Sequence, residues 1–86
     1  MAMQIVETGC VDVAAVTLRI KTFLQQMVGY LPPNFRVIKA EREGDVWVVE
    51  VYYVYVSAVL GVPPREIKAV LKVDEKCRIL DYREEQ

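Results

Sequence analysis

Catalysis in this chain would have to be built from very few groups. Histidine is absent, which removes the commonest general base and metal ligand. The two cysteines, Cys10 and Cys77, form no Cys-x-x-Cys pair and have no histidine to activate either thiol. Glu50 is a single carboxylate inside an apolar run, without the partner that paired-carboxylate chemistry requires. No glycine-rich loop opens a helix that could cradle phosphate. These absences favour a non-enzymatic protein with no cofactor and no metal site. The expected state of Cys10 and Cys77 is a pair of reduced, half-buried thiols in a cytoplasmic protein. A bridge between them stays open, since sequence alone cannot indicate it.

The residues left for recognition lie in one segment. Val46 to Val56 reads VWVVEVYYVYV, with six valines, three tyrosines, one tryptophan and one charge. β-Branched and aromatic side chains fit a pleated surface, so the segment reads as a strand. Trp47, Val49, Val51, Tyr53 and Tyr55 share one face. Val46, Val48, Tyr52, Val54 and Val56 share the other, with Glu50 among them. The smoother valine face suits a covering helix. The aromatic face is the candidate interface (Trp47, Val49, Val51, Tyr53, Tyr55), because Trp and Tyr are enriched at contact hot spots. The same aromatics also suit an ordinary core. Glu50 and Tyr52 are candidates for an ion pair or for ligand contact.

Around this strand the elements read as follows. Residues 1–10 form a loose lead-in, with a short strand at Gln4–Val6. Asp12 is an N-cap before a periodic run of Val13, Val16, Ile20, Phe23, Leu24, Met27 and Val28, ended by Gly29 and Pro32-Pro33. Residues 35–42 form a strand, and Glu43-Gly44-Asp45 forms a hairpin turn. Residues 57–64, rich in Gly and Pro, connect to a third strand whose apolar residues alternate at Ile67, Ala69, Leu71 and Val73. A helix starting at Pro64 is the alternative for this segment. Residues 77–83 close the sheet, and 84–86 form a tail. The whole is a single α+β domain over 1–86, with one N-terminal helix on a three- to four-stranded antiparallel meander.

Composition narrows the function class. The chain is 53% hydrophobic with a net charge of −1. Its basic residues are scattered among acids, without the stripe that marks a nucleic-acid binder. The stretch 46–62 carries Glu50 and falls short of the ~20 apolar residues of a membrane-spanning helix. One helix shields one face of a sheet, and both faces of the long strand are apolar. A second copy or a different protein is expected to pack on the uncovered face, a homodimer with sheets face to face being the simplest closed form.

The segment from Gly44 onward resembles the gas vesicle protein O (GvpO) family, whose pattern opens a strand of alternating Val and Glu with Gly-Trp or Gly-x-Trp. Here Trp47 opens the strand, Glu50 lies within it, and Pro63-Pro64 sit in the link. Leu71-Lys72-Val73-Asp74 precedes a turn, and Leu80-Asp81-Tyr82-Arg83 closes the pattern. The chain carries Tyr52, Tyr53 and Tyr55 where the family is richer in Glu and Arg. It has Glu75, Lys76 or Cys77 where the family turn has glycine. The resemblance implies a cytoplasmic accessory protein that contacts other gas vesicle proteins. The alternative expectation is a small-ligand-binding domain of cystatin-like shape, with Tyr52, Tyr53, Tyr55 and Glu50 lining a pocket between helix and sheet.

Overall fold

The computed structural model describes residues 9–85, so the expected strand at Gln4–Val6 lies outside the described residues. Helix α1 spans Val13–Val28. The Asp12 side chain accepts a hydrogen bond from the Ala15 amide at 2.9 Å, satisfying one of the first-turn donors. Gly29 ends the helix at φ 92° and donates its amide to the Gln25 carbonyl. Only glycine takes this left-handed conformation without steric cost. Val16, Ile20 and Leu24, four residues apart, are the buried stripe.

Four strands follow: β1 (Arg36–Glu43), β2 (Val46–Tyr55), β3 (Arg65–Asp74) and β4 (Ile79–Glu84). They lie in chain order in one antiparallel sheet. The fold is α+β, a helix on a four-stranded meander. Gly44, at φ 62°, and Asp45 form the two-residue turn between paired Glu43 and Val46. The segment after Pro64 is strand, as its alternation requires. The tail begins later than expected, because Glu84 belongs to β4 and the Glu85 amide still donates to the Lys68 carbonyl.

The β2–β3 ladder decides which face meets the helix. Trp47, Val49, Val51 and Tyr53 stand opposite Val73, Leu71, Ala69 and Ile67. All eight are buried, in one cluster with Val16, Ile20, Leu24 and Cys10. The expected orientation of β2 is therefore reversed. Trp47, Val49, Val51 and Tyr53 are core beneath α1, and Tyr55 packs partly buried against that core. The reason is on β3, whose other face carries Glu66, Lys68 and Lys72 and cannot be buried without cost. The aromatics also find polar partners inside: Trp47 Nε1 donates to the Cys10 carbonyl at 2.9 Å.

The opposite face is not the bare apolar surface expected. Val46, Val48, Val54 and Val70 are half-buried there. Across the ladder from β2 and β3 on that face stand Arg36, Lys39, Glu41, Asp81 and Arg83. Long charged side chains lay their aliphatic stems over apolar neighbours while keeping the charge in water. Charged residues thus stand beside the half-buried valines on this face.

The two cysteines are joined. Cys10 and Cys77 form a disulfide with Cα atoms 5.0 Å apart, correcting the expectation of reduced thiols. Residues 9 and 10 are pinned rather than loose. The Cys10 amide donates to the Glu75 carbonyl at 2.9 Å. Gly9, at φ 73°, lies so close to that carbonyl that any Cβ would clash. Cys77 takes the left-handed position of the β3–β4 turn, at φ 64°. The turn is held by Asp74, whose Oδ1 accepts from the amides of Lys76 and Arg78 at 2.9 Å each. Its Oδ2 accepts from Arg78 Nε at 2.8 Å. Closing a loop of 67 residues limits the unfolded chain by on the order of 4 kcal/mol in the chain-entropy account.

Two stability measurements check this description. In urea denaturation, Val51→Ala is expected to lose about 2–3 kcal/mol, from lost transfer energy plus a cavity, and Val48→Ala about 1 or less. Equal losses would mean that the two faces are buried alike. Cys10→Ser, or wild type in reductant, is expected to lose about 2–4 kcal/mol. Cys77→Gly should lose less than Cys10→Ser, because glycine relaxes the left-handed turn position by ~1 kcal/mol.

Candidate contact surface at the apolar end

The bridge ties down one end of the sheet. At the other end α1 gives way to residues 29–35, and residues 56–64 link β2 to β3. Tyr30 fastens the two loops together. Its hydroxyl donates to the Val56 carbonyl at 2.7 Å and accepts from the Val56 amide at 2.9 Å. The Val54 amide donates to the Pro33 carbonyl at 3.1 Å. Pro32, between them in the chain, is buried.

The β2–β3 link reads VSAVLGVPP and contains no charged residue. Its backbone is nevertheless held. Ser57 Oγ accepts from the Val59 amide at 3.0 Å. The Val62 amide reaches the Val59 carbonyl at 3.4 Å, with Gly61 at φ 86°. This is the geometry of a tight turn whose third residue needs positive φ, with Leu60 at the second position. Leu60 is 97% exposed and Val59 65% exposed, and Val56 and Val62 are exposed beside them. Leu31 and Met27 are exposed as well. Scattered surface aliphatics are ordinary, but a charge-free, ordered loop that displays several of them is the kind of patch that marks contact sites. In the sequence, 57–64 reads only as a connection. The available signal was the lack of charge in a segment that Gly61 and Pro63-Pro64 keep out of regular pairing.

Beside this end lies a cleft of about 280 Å³ between the last turn of α1 and the sheet, bordered by Met27, Val28, Tyr53, Tyr55, Arg65, Ile67 and Glu84. The hydroxyl of its Tyr53 stands 2.6 Å from that of Tyr82. Tyr82 donates to Glu84 Oε2 at 3.2 Å, and Arg65 pairs with Glu84 at 3.5 Å. Burial is the first cause raising the pKa of Tyr53; its hydrogen bond with Tyr82 opposes the rise and Glu84 adds to it. Burial likewise raises Tyr82, reinforced by its hydrogen bond with Tyr53. Both hydroxyls therefore stay protonated at neutral pH, as hydrogen-bonding groups rather than bases.

The expected grouping of Tyr52, Tyr53, Tyr55 and Glu50 in one pocket does not form. Strand alternation sends Tyr53 and Tyr55 toward α1 and sends Glu50 and Tyr52 to the open face. There the Arg36 guanidinium stacks 4.4 Å from the Tyr52 ring centroid. A shallow groove of about 360 Å³ is bordered by Tyr52, Glu66, Lys68 and Glu85. Proximity to the Glu50 carboxyl raises the Glu85 pKa; burial adds to the rise and Lys68 opposes it. On the ladder Glu50 stands beside Lys39.

Among the described residues no three Cys, Asp or Glu side chains gather where a metal ion could be held. Among them also, no helix is long and apolar enough to cross a membrane. Compared with known proteins, the chain matches no family model, no curated protein and no solved structure.

The tyrosine pair sets a pH dependence. A raised folded-state pKa means that the unfolded chain releases the proton more readily. The associated stability is complete below the ordinary tyrosine value of about 10 and is lost as pH rises beyond it. Tyr82→Phe is expected to flatten the alkaline fall in melting temperature above that value. A fall as steep as in wild type would remove Tyr82 from this role.

Proposed function

We propose that this chain is a non-enzymatic contact protein that engages another protein through its apolar end. The reading rests on one observation: the uncharged β2–β3 link is ordered by Ser57, Gly61 and Tyr30, yet it presents Leu60 almost wholly to solvent. A loop preorganised in its presenting shape loses little entropy on docking. The aromatic sheet face first expected to do this is occupied by α1, so the contact moves to the tip. The resemblance of the segment from Gly44 onward to gas vesicle protein O supports an assembly-accessory role as the sharper form of this reading. A cytoplasmic location goes with that form. It requires the bridge to survive the cellular thiol pool, which the complete burial of Cys10 favours. An oxidising compartment needs no such protection.

A second reading, binding of a small ligand, is favoured by the cleft where Tyr53, Tyr55, Arg65 and Glu84 meet Met27 and Ile67. It combines an apolar lining with a few polar groups, as ligand sites do. Native mass spectrometry after gentle purification would reveal a retained small molecule.

The contact reading is tested by placing a photo-crosslinking amino acid at position 60 in the producing cell. Discrete cross-linked bands are expected from position 60 and none from the exposed position 43 at the end of β1. The absence of any band at position 60, or identical patterns at both, would reject the tip as a contact site.

A further inference from the structure

The two halves of the bridge differ in what can reach them. Cys10 is wholly buried. Cys77 is half-buried and borders an open groove of about 410 Å³ along the flank of α1, with Ala15, Arg19 and Thr22 on the helix side. A thiolate breaks a disulfide by bonding to one of its sulfurs, so access selects the sulfur. Of the two residues, Cys77 is the one that a thiolate from solvent can meet. Arg19 is the charged residue on the groove, and its Nε donates to the Cys77 carbonyl at 2.9 Å. A cation therefore stands beside the path of an anionic nucleophile. The neighbouring acids in the turn, Asp74 and Glu75, are paired with Arg78 and Arg42. The bridge joins the segment ahead of α1 to the β3–β4 turn, and neither cysteine belongs to the β2–β3 ladder. Opening it leaves that ladder in place.

We propose that Cys77 is a thiol-exchange site and that the bridge is a latch opened by a dithiol reductant. In the first step a thiolate of the reductant bonds to the Cys77 sulfur. The Cys10–Cys77 bond breaks, its electron pair leaves on the Cys10 sulfur, and that sulfur takes a proton from water. In the second step the other thiol of the reductant, as thiolate, bonds to the reductant's own first sulfur. Cys77 leaves as thiolate and is protonated, and the reductant departs as a disulfide. Two electrons pass from the dithiol to the bridge. A monothiol must instead wait for a second molecule. In that interval Cys10 stays beside Cys77, because its amide is held by the Glu75 carbonyl and its carbonyl by the Trp47 indole, both at 2.9 Å. A thiol so placed expels the monothiol and re-forms the bridge. The latch thus closes against monothiols and yields to dithiols. Once it is open, hydrogen bonds alone hold Cys10 to the turn, and Trp47, the single tryptophan, senses its departure. The proposal is independent of the contact at the tip.

Dithiothreitol and reduced glutathione, at equal thiol concentration and neutral pH, test the latch on the folded full chain. Samples are quenched in acid, alkylated and weighed by mass spectrometry, with tryptophan emission followed in parallel. Dithiothreitol is expected to open the bridge at a rate proportional to its concentration, with Trp47 emission changing in step. Its advantage over glutathione should be roughly tenfold larger in the folded chain than in the urea-unfolded chain, where nothing keeps Cys10 beside Cys77. Any trapped glutathione adduct is expected on Cys77. Arg19→Gln should slow opening about threefold, and Arg19→Lys should restore most of the rate. Val51→Ala weakens the core away from the bridge and should leave the rate unchanged. Cys10→Ser and Cys77→Ser, with circular dichroism confirming the fold, keep one thiol each. An aromatic disulfide probe should react with Cys77 in the first and fail to reach Cys10 in the second. Three results would each overturn the proposal: an adduct on Cys10, an equal dithiothreitol advantage in both states, or faster opening in Val51→Ala, which means that the reductant waits for unfolding.

Discussion

The ten-residue ladder between β2 and β3 governs the rest of this molecule. It is the longest pairing in the sheet, and it buries four side chains from each strand on one side. Once Ile67, Ala69, Leu71 and Val73 are committed to the interior by the charges that alternate with them, Trp47, Val49, Val51 and Tyr53 must follow. The helix then has one surface to cover. The side chains it covers are bulky, and two of them carry a polar tip that needs a partner. Trp47 finds the Cys10 carbonyl and Tyr53 finds the Tyr82 hydroxyl. The core thus reaches outward at both ends of β2, to the N-terminal segment at one and to β4 at the other.

These two ends are built on opposite principles. At the bridged end, Asp74, Glu75, Arg19 and Trp47 each hold backbone groups of the Cys10 or Cys77 regions, and a covalent link fixes what the hydrogen bonds align. At the far end the same economy of hydrogen bonding holds two loops in place, but the side chains they present are aliphatic and face water. Order there is not a by-product of burial, since Leu60 is buried against nothing. An open, charged sheet face separates the two, with the valines of β2 sheltered among Lys, Arg and Glu.

Much of the fold was legible because local chemistry announces it. Asp12 and Gly29 bound the helix, Gly44 makes the first hairpin, and period-two alternation marks β3. The choice of face on β2 was not legible. Both its faces are apolar, so periodicity carries no direction, and the deciding information sits on β3 across a link of nine residues whose register cannot be read from spacing. The bridge was hidden for a similar reason: it depends on Gly9 lying against Glu75, a contact with no local signature. The tip escaped notice because Gly and Pro in a link suggest only a break in pairing. Its meaning appears once the exposure of Leu60 and Val59 is known. Tyr52 and Glu50 lie near Tyr53 and Tyr55 in sequence, but a strand separates odd from even positions, so one pocket cannot gather all four.

The nearest-neighbour order of the strands has a bearing on synthesis. Helix α1 leaves the ribosome first, yet the surface that shelters Val16, Ile20 and Leu24 exists only after β2 and β3 have met. Until residue 74 has emerged, the nascent chain carries a greasy helix with no seat. The sheet, by contrast, can zip hairpin by hairpin as it appears, since β1 to β4 each pair with the strand just made. The helix is therefore an early product and a late arrival, and that interval is when a chaperone has most to hold.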